Sequence, residues 1–202
     1  MKLFDLENSP DSGIAKLTIG GDVLTVTGTG GTANVNVNGV AYLMTWATSL
    51  TVTCANWVAL HKAALLLRGI KASSAAAVIT IVHVRPQVIT NRIWATISDA
   101  SSDLASTPVA TFTPDFNIAR IYQLTIDCAT TIAAPVNAQE GRAIRFEITA
   151  SGAFGITWNT AYQFAGGTEH TQTSTALDIL EGAYNAAAKK VYLTVESSDV
   201  KA

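Results

Sequence analysis

Residues Val23 to Trp46 read VLTVTGTGGTANVNVNGVAYLMTW, and two opposed structures fit their opening. Gly28-Thr29-Gly30-Gly31-Thr32-Ala33 matches G-x-G-x-x-A, the turn that in dinucleotide-binding folds seats a pyrophosphate on the free amides of a helix N-terminus. That chemistry requires a helix directly after the glycines. The residues in that place, Ala33-Asn34-Val35-Asn36-Val37, instead alternate at period two and end in Asn38-Gly39, the strongest short-range signal for a two-residue hairpin. Thr48 to Thr53 contains no acidic residue to hold a ribose hydroxyl. The glycines therefore read as turn residues supplying positive φ, and the segment as sheet.

Outward from this stretch, strands are predicted at Ala15–Ile19, Val23–Thr27, Ala33–Val37 and Val40–Trp46, which in sequence suggest a meander. From Thr53 the period changes. Trp57, Leu60, Ala64 and Leu67 share one helical face, with Thr53 as the cap and Gly69 as the stop, so a single helix is expected to pack on the sheet through that face. Cys54, His61 and Arg68 lie on a common flank of this helix; two potential ligands do not make a metal site, and His61 reads as a partly covered polar residue. Cys54 and Cys128 have no C-x-x-C spacing and read as small buried hydrophobes. Ala75–Val84, rich in β-branched residues and closed by Arg85-Pro86, is expected to be one central strand, with His83 on its exposed side; another strand is expected from Val88 to Ile97.

Residues 98–108 are small, polar and aperiodic, the composition of a linker. Beyond them the pattern is almost wholly β: Val109–Thr113, Ala119–Ile126, Thr130–Ala133, Ala143–Thr149, Gly155–Trp158, Ala176–Leu180 and Val191–Val195. Ile144, Phe146 and Ile148 alternate with Arg145, Glu147 and Thr149, giving one core face and one wet face. The fold class expected is mainly β: an N-terminal β-meander domain with one packed helix (α+β) over residues 14–97, and a C-terminal antiparallel β-sandwich or jelly-roll-like domain over 109–202. Residues 1–13 form an arm whose apolar tip, Leu3, Phe4 and Leu6, is a candidate interface with a neighbouring subunit.

Composition narrows the function. Among 202 residues the formal net charge is -2 and only 14% are charged, with no basic run longer than Lys189-Lys190; a nucleic-acid binder would carry a basic stripe. No run approaches the roughly 18 apolar residues of a membrane span, and acidic residues near the start, Asp5 and Glu7, sit where a signal peptide has its apolar centre. The expectation is a chain made and assembled in the cytoplasm, with neither nucleic acid nor membrane as partner.

Catalytic patterns are weak. Asp115, Asp127, Asp178 and Glu181 read as strand-end or turn residues, and the only Ser-Gly pairs, Ser12-Gly13 and Ser151-Gly152, fall in turns without a G-x-S-x-G elbow. No catalytic, cofactor or metal residues are assigned. The polar cluster Glu169-His170 beside Gly166-Gly167, with Trp158, Tyr162 and Phe164 nearby, has two readings: a flat carbohydrate-binding surface on an exposed loop, or aromatics filling the sandwich.

The second half also carries a resemblance. The turn Asn137-Ala138-Gln139-Glu140-Gly141 with Arg142, the strand Ile144–Ile148, the segment Ile156-Thr157-Trp158-Asn159, then Phe164-Ala165-Gly166-Gly167-Thr168 and Ala176–Leu180 together resemble a β-sandwich domain of tailed-bacteriophage virion proteins, found in tail fibres, head fibres and related structural chains. Residues Gly28–Ala72 are similar to another small module of phage structural proteins. Glu169-His170 departs from the pattern, where a small or apolar residue followed by proline is expected. The resemblance implies assembly rather than chemistry: a virion component, in homo-oligomers that in such domains are commonly trimers, with capsid or tail subunits as partners and no catalytic residues. Capsid decoration, head fibre and tail component stay open; a chain short for a tail fibre with its own shaft, and without heptad or shaft repeats, favours a decoration or auxiliary role.

Overall fold

The computed structural model describes residues 14–19, 21–84, 95–97, 103–172 and 176–200. In chain order the elements are β1 (Ile14–Ile19), β2 (Val23–Thr27), β3 (Thr32–Val37), β4 (Val40–Thr45), α1 (Leu50–Leu67), β5 (Ile70–Ala75), β6 (Val78–His83), β7 (Ala95–Ile97), β8 (Ala105–Phe112), β9 (Ile121–Ile126), β10 (Ala129–Ile132), β11 (Ala143–Ala150), β12 (Ile156–Trp158), β13 (Tyr162–Phe164), β14 (Leu177–Asn185) and β15 (Lys190–Val200). The protein is mainly β with one long helix and several sheets. Two compact units result: an inserted unit of Gly20–Gln87 and Ile93–Ala110, and a framing unit of Met1–Ile19, Val88–Arg92 and Thr111–Ala202. Strand β8 occupies residues 105–108 of the expected linker, and residues 98–102, like the arm 1–13 with Leu3, Phe4 and Leu6, lie outside the described residues.

In the inserted unit, β2 pairs antiparallel with both β6 and β8, and β6 with β5; β3 pairs antiparallel with β4 and with β7. The hairpin between β3 and β4 turns on Asn38 (φ 48°) and Gly39 (φ 77°), the pair of positive φ values a type I′ turn requires. The glycine loop leads into β3, so no helix N-terminus faces it. A Cβ on Gly28 would lie 2.3 Å from the Asp103 carbonyl oxygen, and Thr29 Oγ1 donates to Asp103 Oδ2 at 2.8 Å, which holds the Asp103 carboxyl below its usual range. The loop thus seats a neighbouring backbone, not a phosphate. The expected meander is realised only in the β3–β4 hairpin. The loop sends β2 and β3 into different sheets, and β1 pairs in the framing unit.

Two further expectations change here. Ala75–Val84 is not one strand throughout: Ala76 (φ 50°) and Ala77 make a turn, β6 fills Val78–His83, and its hairpin partner β5, Ile70–Ala75, lies almost wholly before the run. An alanine in the left-handed region gives no compositional sign of the turn it makes. The helix starts a turn earlier than expected, capped by Ser49, whose Oγ accepts from Val52 N; Thr53 lies inside it, buried, and Oγ1 donates to the Ser49 carbonyl at 2.8 Å. Gly69 (φ 72°) follows its end as expected. The packed side is Thr53, Cys54, Trp57 and Leu65, whereas Leu60 and Leu67 of the expected face are 71% and 91% exposed. The sequence LTVTCANWVALHKAALLL is apolar nearly all round, so periodicity cannot choose its inner face. By length and composition it is also the one helix among the described residues long and apolar enough to cross a membrane, which corrects the expectation that no such stretch exists.

In the framing unit the large sheet runs β1-β9-β11-β14-β15-β13. β1, β9 and β11 are mutually parallel neighbours, β11, β14 and β15 antiparallel, and β13 lies parallel to β15. The second layer contains β10 and β12, also parallel, tied to the end of β8 by Ala133 N donating to the Phe112 carbonyl. Side chains of the two layers meet inside: Phe112 against Tyr122 at 5.3 Å, Phe146 against Trp158 at 5.5 Å. The sandwich character is as expected; the purely antiparallel pairing is not. The chain alternates layers, β9, β10, β11, β12, β13, and the returns from β9 to β11 and from β10 to β12 lay strands of like direction side by side.

Candidate functional site

The residues singled out in the framing unit separate into a core and a surface. Trp158 ends β12 and Tyr162 begins β13; both are buried, at 4% and 6% exposure, as is Phe164. Trp158 packs edge-on against Tyr162 at 5.2 Å and Phe164 at 5.3 Å, while Phe146 closes the cluster. Tyr162 donates its hydroxyl to the Ala133 carbonyl at 3.0 Å, and burial raises its pKa. The flat exposed surface is therefore ruled out for these rings. They fill the sandwich because β12 and β13 alternate inward at Trp158, Tyr162 and Phe164.

Glu169 and His170 part company. Glu169 is exposed, but His170 is buried with its Nε2 3.0 Å from Oδ2 of Asp178, a wholly buried residue of β14. The pair joins the loop after β13 to the sheet. With side chains 5% and 0% exposed it has no opening to a substrate, so its chemistry is structural.

Other acidic candidates also have local roles. Asp115 accepts from Asn117 N at 2.9 Å and from Asn137 Nδ2 at 2.8 Å, bracing the turn before β9. Beside it, the Tyr122 hydroxyl accepts from Asp115 N at 2.8 Å and donates to the Asp115 carbonyl at 2.6 Å. Glu181 takes Arg145 at 2.5 Å, and Arg145 also meets Glu147 at 2.7 Å; the bond to Glu181 raises the guanidinium's pKa. On α1, His61 Nε2 donates to the Leu43 carbonyl at 2.8 Å between the rings of Tyr42 and Trp57, and Arg68 bonds the Tyr42 hydroxyl. Cys54 is buried, and burial pushes its thiol pKa up. Among the described residues no three of His, Cys, Asp and Glu gather in a way that could hold a metal ion.

Two surfaces are left as candidates. One is a groove of about 800 Å³ over the outer face of the large sheet, lined by Arg120, Arg142, Arg145, Glu181, Thr194 and Glu196 among others. Arg145 and Glu181 are spoken for by each other, so Arg120, Arg142 and Glu196 are its available charges. Sequence reasoning named only Glu181 here as a candidate acid. The others come from the loop before β9, the turn before β11 and strand β15, and only the register of β9, β11, β14 and β15 gathers them. The second is the outward side of α1, where Val52, Leu60, Leu66 and Leu67 are exposed; with Val40, Leu43, Val82 and Val84, eight large hydrophobic side chains are exposed within residues 40–84. No family model and no curated protein matches the chain.

Proposed function

We propose that this chain is a structural protein of tailed-bacteriophage particles, a capsid decoration or head-fibre component that binds the particle as a homo-oligomer. In this reading it is assembled in the host cytoplasm, its partners are other virion proteins, and it works without catalysis, cofactor or nucleic acid. The ordered resemblance from Asn137 to Leu180 points to the class of protein. The observation that supports the reading is the uncovered apolar side of α1, where Val52, Leu60, Leu66 and Leu67 are exposed together. A chain with two β-rich units, few charges and its aromatics interlocked inside is suited to rigid display.

The test is the composition and image of purified particles. Decoration predicts hundreds of copies on the shell, and a head fibre a smaller set at defined capsid positions. Absence of the chain from particles, or turnover of a small molecule lost on changing one acidic residue without loss of stability, would overturn the reading.

The groove favours a second reading, a tail component or tail-tip module that binds a host receptor or carbohydrate. Arg142 and Glu196 line an open concavity of mixed polar and apolar character on the large sheet. Saturable glycan binding lost in Arg142→Ala, with the melting curve intact, would select it. Trp158 and Tyr162 are unsuitable probes, since truncating either opens the core.

A further inference from the structure

The outward side of α1 has an internal symmetry. At about 100° per residue, the strip opposite the packed residues Cys54, Trp57 and Leu65 is Val52, Ala55, Ala59, Ala63 and Leu66. Counted from Ala59, Val52 and Leu66 stand seven residues to either side, and Ala55 and Ala63 four to either side. Large apolar residues close both ends and alanines occupy the middle. Asn56 and Lys62, three residues to either side of Ala59, are the polar residues bordering the strip.

From this we infer that α1 is the contact between two copies of the chain, packed antiparallel about a two-fold axis through Ala59. Turned end for end about that axis, the strip matches itself: Val52 meets Leu66 of the second copy, Ala55 meets Ala63, and Ala59 meets Ala59. Alanines at the middle let two helices approach to the closer end of the 8–10 Å range, and the terminal side chains close over the gap. The two-fold keeps the two Lys62 on one flank of the seam, about 9 Å apart along the axis, and the two Asn56 on the other flank, so the lysines reach out into solvent and not into the seam. The two helix dipoles oppose, a favourable arrangement. Self-matching of one patch is the defining property of a two-fold interface.

Area fixes the register. An 18-residue helix is about 27 Å long, and half the circumference of a cylinder about 11 Å across gives roughly 470 Å² per copy, close to 1,000 Å² for the pair. That lies just under the approximately 1,000 Å² at which a stable specific interface begins, and only if the helices overlap along their whole length, as centring on Ala59 requires. Leu60 and Leu67 then flank the seam. An interface this size is of the weak class, so the dimer should form at micromolar concentration and be reinforced where copies are held close together.

The inference deepens the assembly reading above and rests on it for its biological setting, but not for its test. Sedimentation of the full chain at 1–100 µM, roughly the range for such an interface, is expected to give twice the mass of one chain. Ala59→Arg sets two like charges on the axis and should raise the dissociation constant at least ~100-fold while leaving the far-ultraviolet spectrum and melting of the monomer unchanged, since Ala59 is exposed. Orientation is read by mixing Val52→Cys chains with Leu66→Cys chains under mild oxidation: antiparallel packing gives mixed cross-linked pairs and parallel packing gives like pairs. The native Cys54 and Cys128 are buried and do not compete. A chain monomeric throughout, a dimer or trimer indifferent to Ala59→Arg, like-pair cross-links, or α1-dependent co-flotation with phosphatidylglycerol vesicles in place of self-association would each overturn it. A dimer that behaves as described in a chain absent from virus particles would sink the virion reading and leave this one standing.

Discussion

Gly182 shows how one side chain, or its lack, sets the geometry of a sheet. It sits in β14 opposite Leu193, and a Cβ placed on it would come within 1.9 Å of the Tyr192 carbonyl oxygen and 2.8 Å of its carbon. Because the obstacle is backbone, the β14–β15 ladder has to move to admit any other residue. Gly182→Ala is therefore expected to cost about 1–3 kcal/mol, read from the urea midpoint at unchanged slope. Gly141, with open space around it, should cost less despite its φ of 68°. Tyr122 supplies a titrating counterpart. Burial pushes its pKa up to about 12, against the hydrogen bond its hydroxyl accepts from Asp115 N, and burial raises Tyr162 as well. The folded state thus keeps a proton that the unfolded chain releases near pH 10, so stability is level below that pH and falls as pH rises toward 12. For Tyr122 the loss is on the order of 2–3 kcal/mol. In a series of melting curves from pH 8 to 12, Tyr122→Phe should start lower, by about 1–2 kcal/mol for the lost hydrogen bonds, and descend less steeply. An equal slope in both chains would contradict the assignment.

At the scale of elements, the features legible in the sequence are those whose local signal was unambiguous. Asn38-Gly39 specifies a type I′ turn by itself, and Ile144, Phe146 and Ile148 specify the buried side of β11 by strict alternation; both came out as read. Ala76 carries no such signal, so the turn that begins the β5–β6 hairpin was hidden at the start of an apolar run, and β5 before it was not read as a strand. Its φ of 50° has a measurable consequence. An L-residue there bears roughly 1–2 kcal/mol of steric cost that glycine lacks, partly offset by glycine's greater freedom when unfolded. Ala76→Gly is expected to raise stability by about 0.5–1 kcal/mol, seen as a higher denaturation midpoint, whereas glycine in the adjoining strand position Ala75 should lower it. On α1 the difficulty was the reverse. Hydrophobicity on every side made several faces equally eligible, and Trp57, which borders both the expected and the observed face, could not separate them. The candidate aromatics Trp158 and Tyr162 were visible as a group, but the choice between surface and core depended on β13, a three-residue strand too short to show a period.

Across the whole molecule the chain order conceals how the strands are shared. A tandem reading, one domain before the small polar stretch at 98–108 and one after, comes from composition alone, yet β1 pairs with β9, residue for residue from Ile14 opposite Ile121 to Ile19 opposite Ile126. Pairing across about a hundred residues leaves no local trace, and it nests the inserted unit between the first strand of the framing sheet and the rest. The same topology governs folding. β1 brings Ala15, Leu17 and Ile19 into the core, all nearly or fully buried, but the β9 ladder they join can form only after a long loop closes, an entropic cost that slows non-local pairing. Removing residues 1–19 should therefore act twice. It deletes three buried side chains, worth several kcal/mol at about 1.5–3 kcal/mol for each large one, and it exposes β9 as an unprotected sheet edge. The expected result is a chain whose framing unit unfolds at lower urea, followed through its Trp158 fluorescence, and which scatters light on standing at concentrations where the full chain stays clear. Single substitution of Leu17 by Ala leaves the ladder in place, so it should lower the urea midpoint by about 2–4 kcal/mol equivalent without the light scattering. If the truncated chain matched the full one in both measurements, the parallel β1–β9 pairing would not be part of the fold that this sequence adopts.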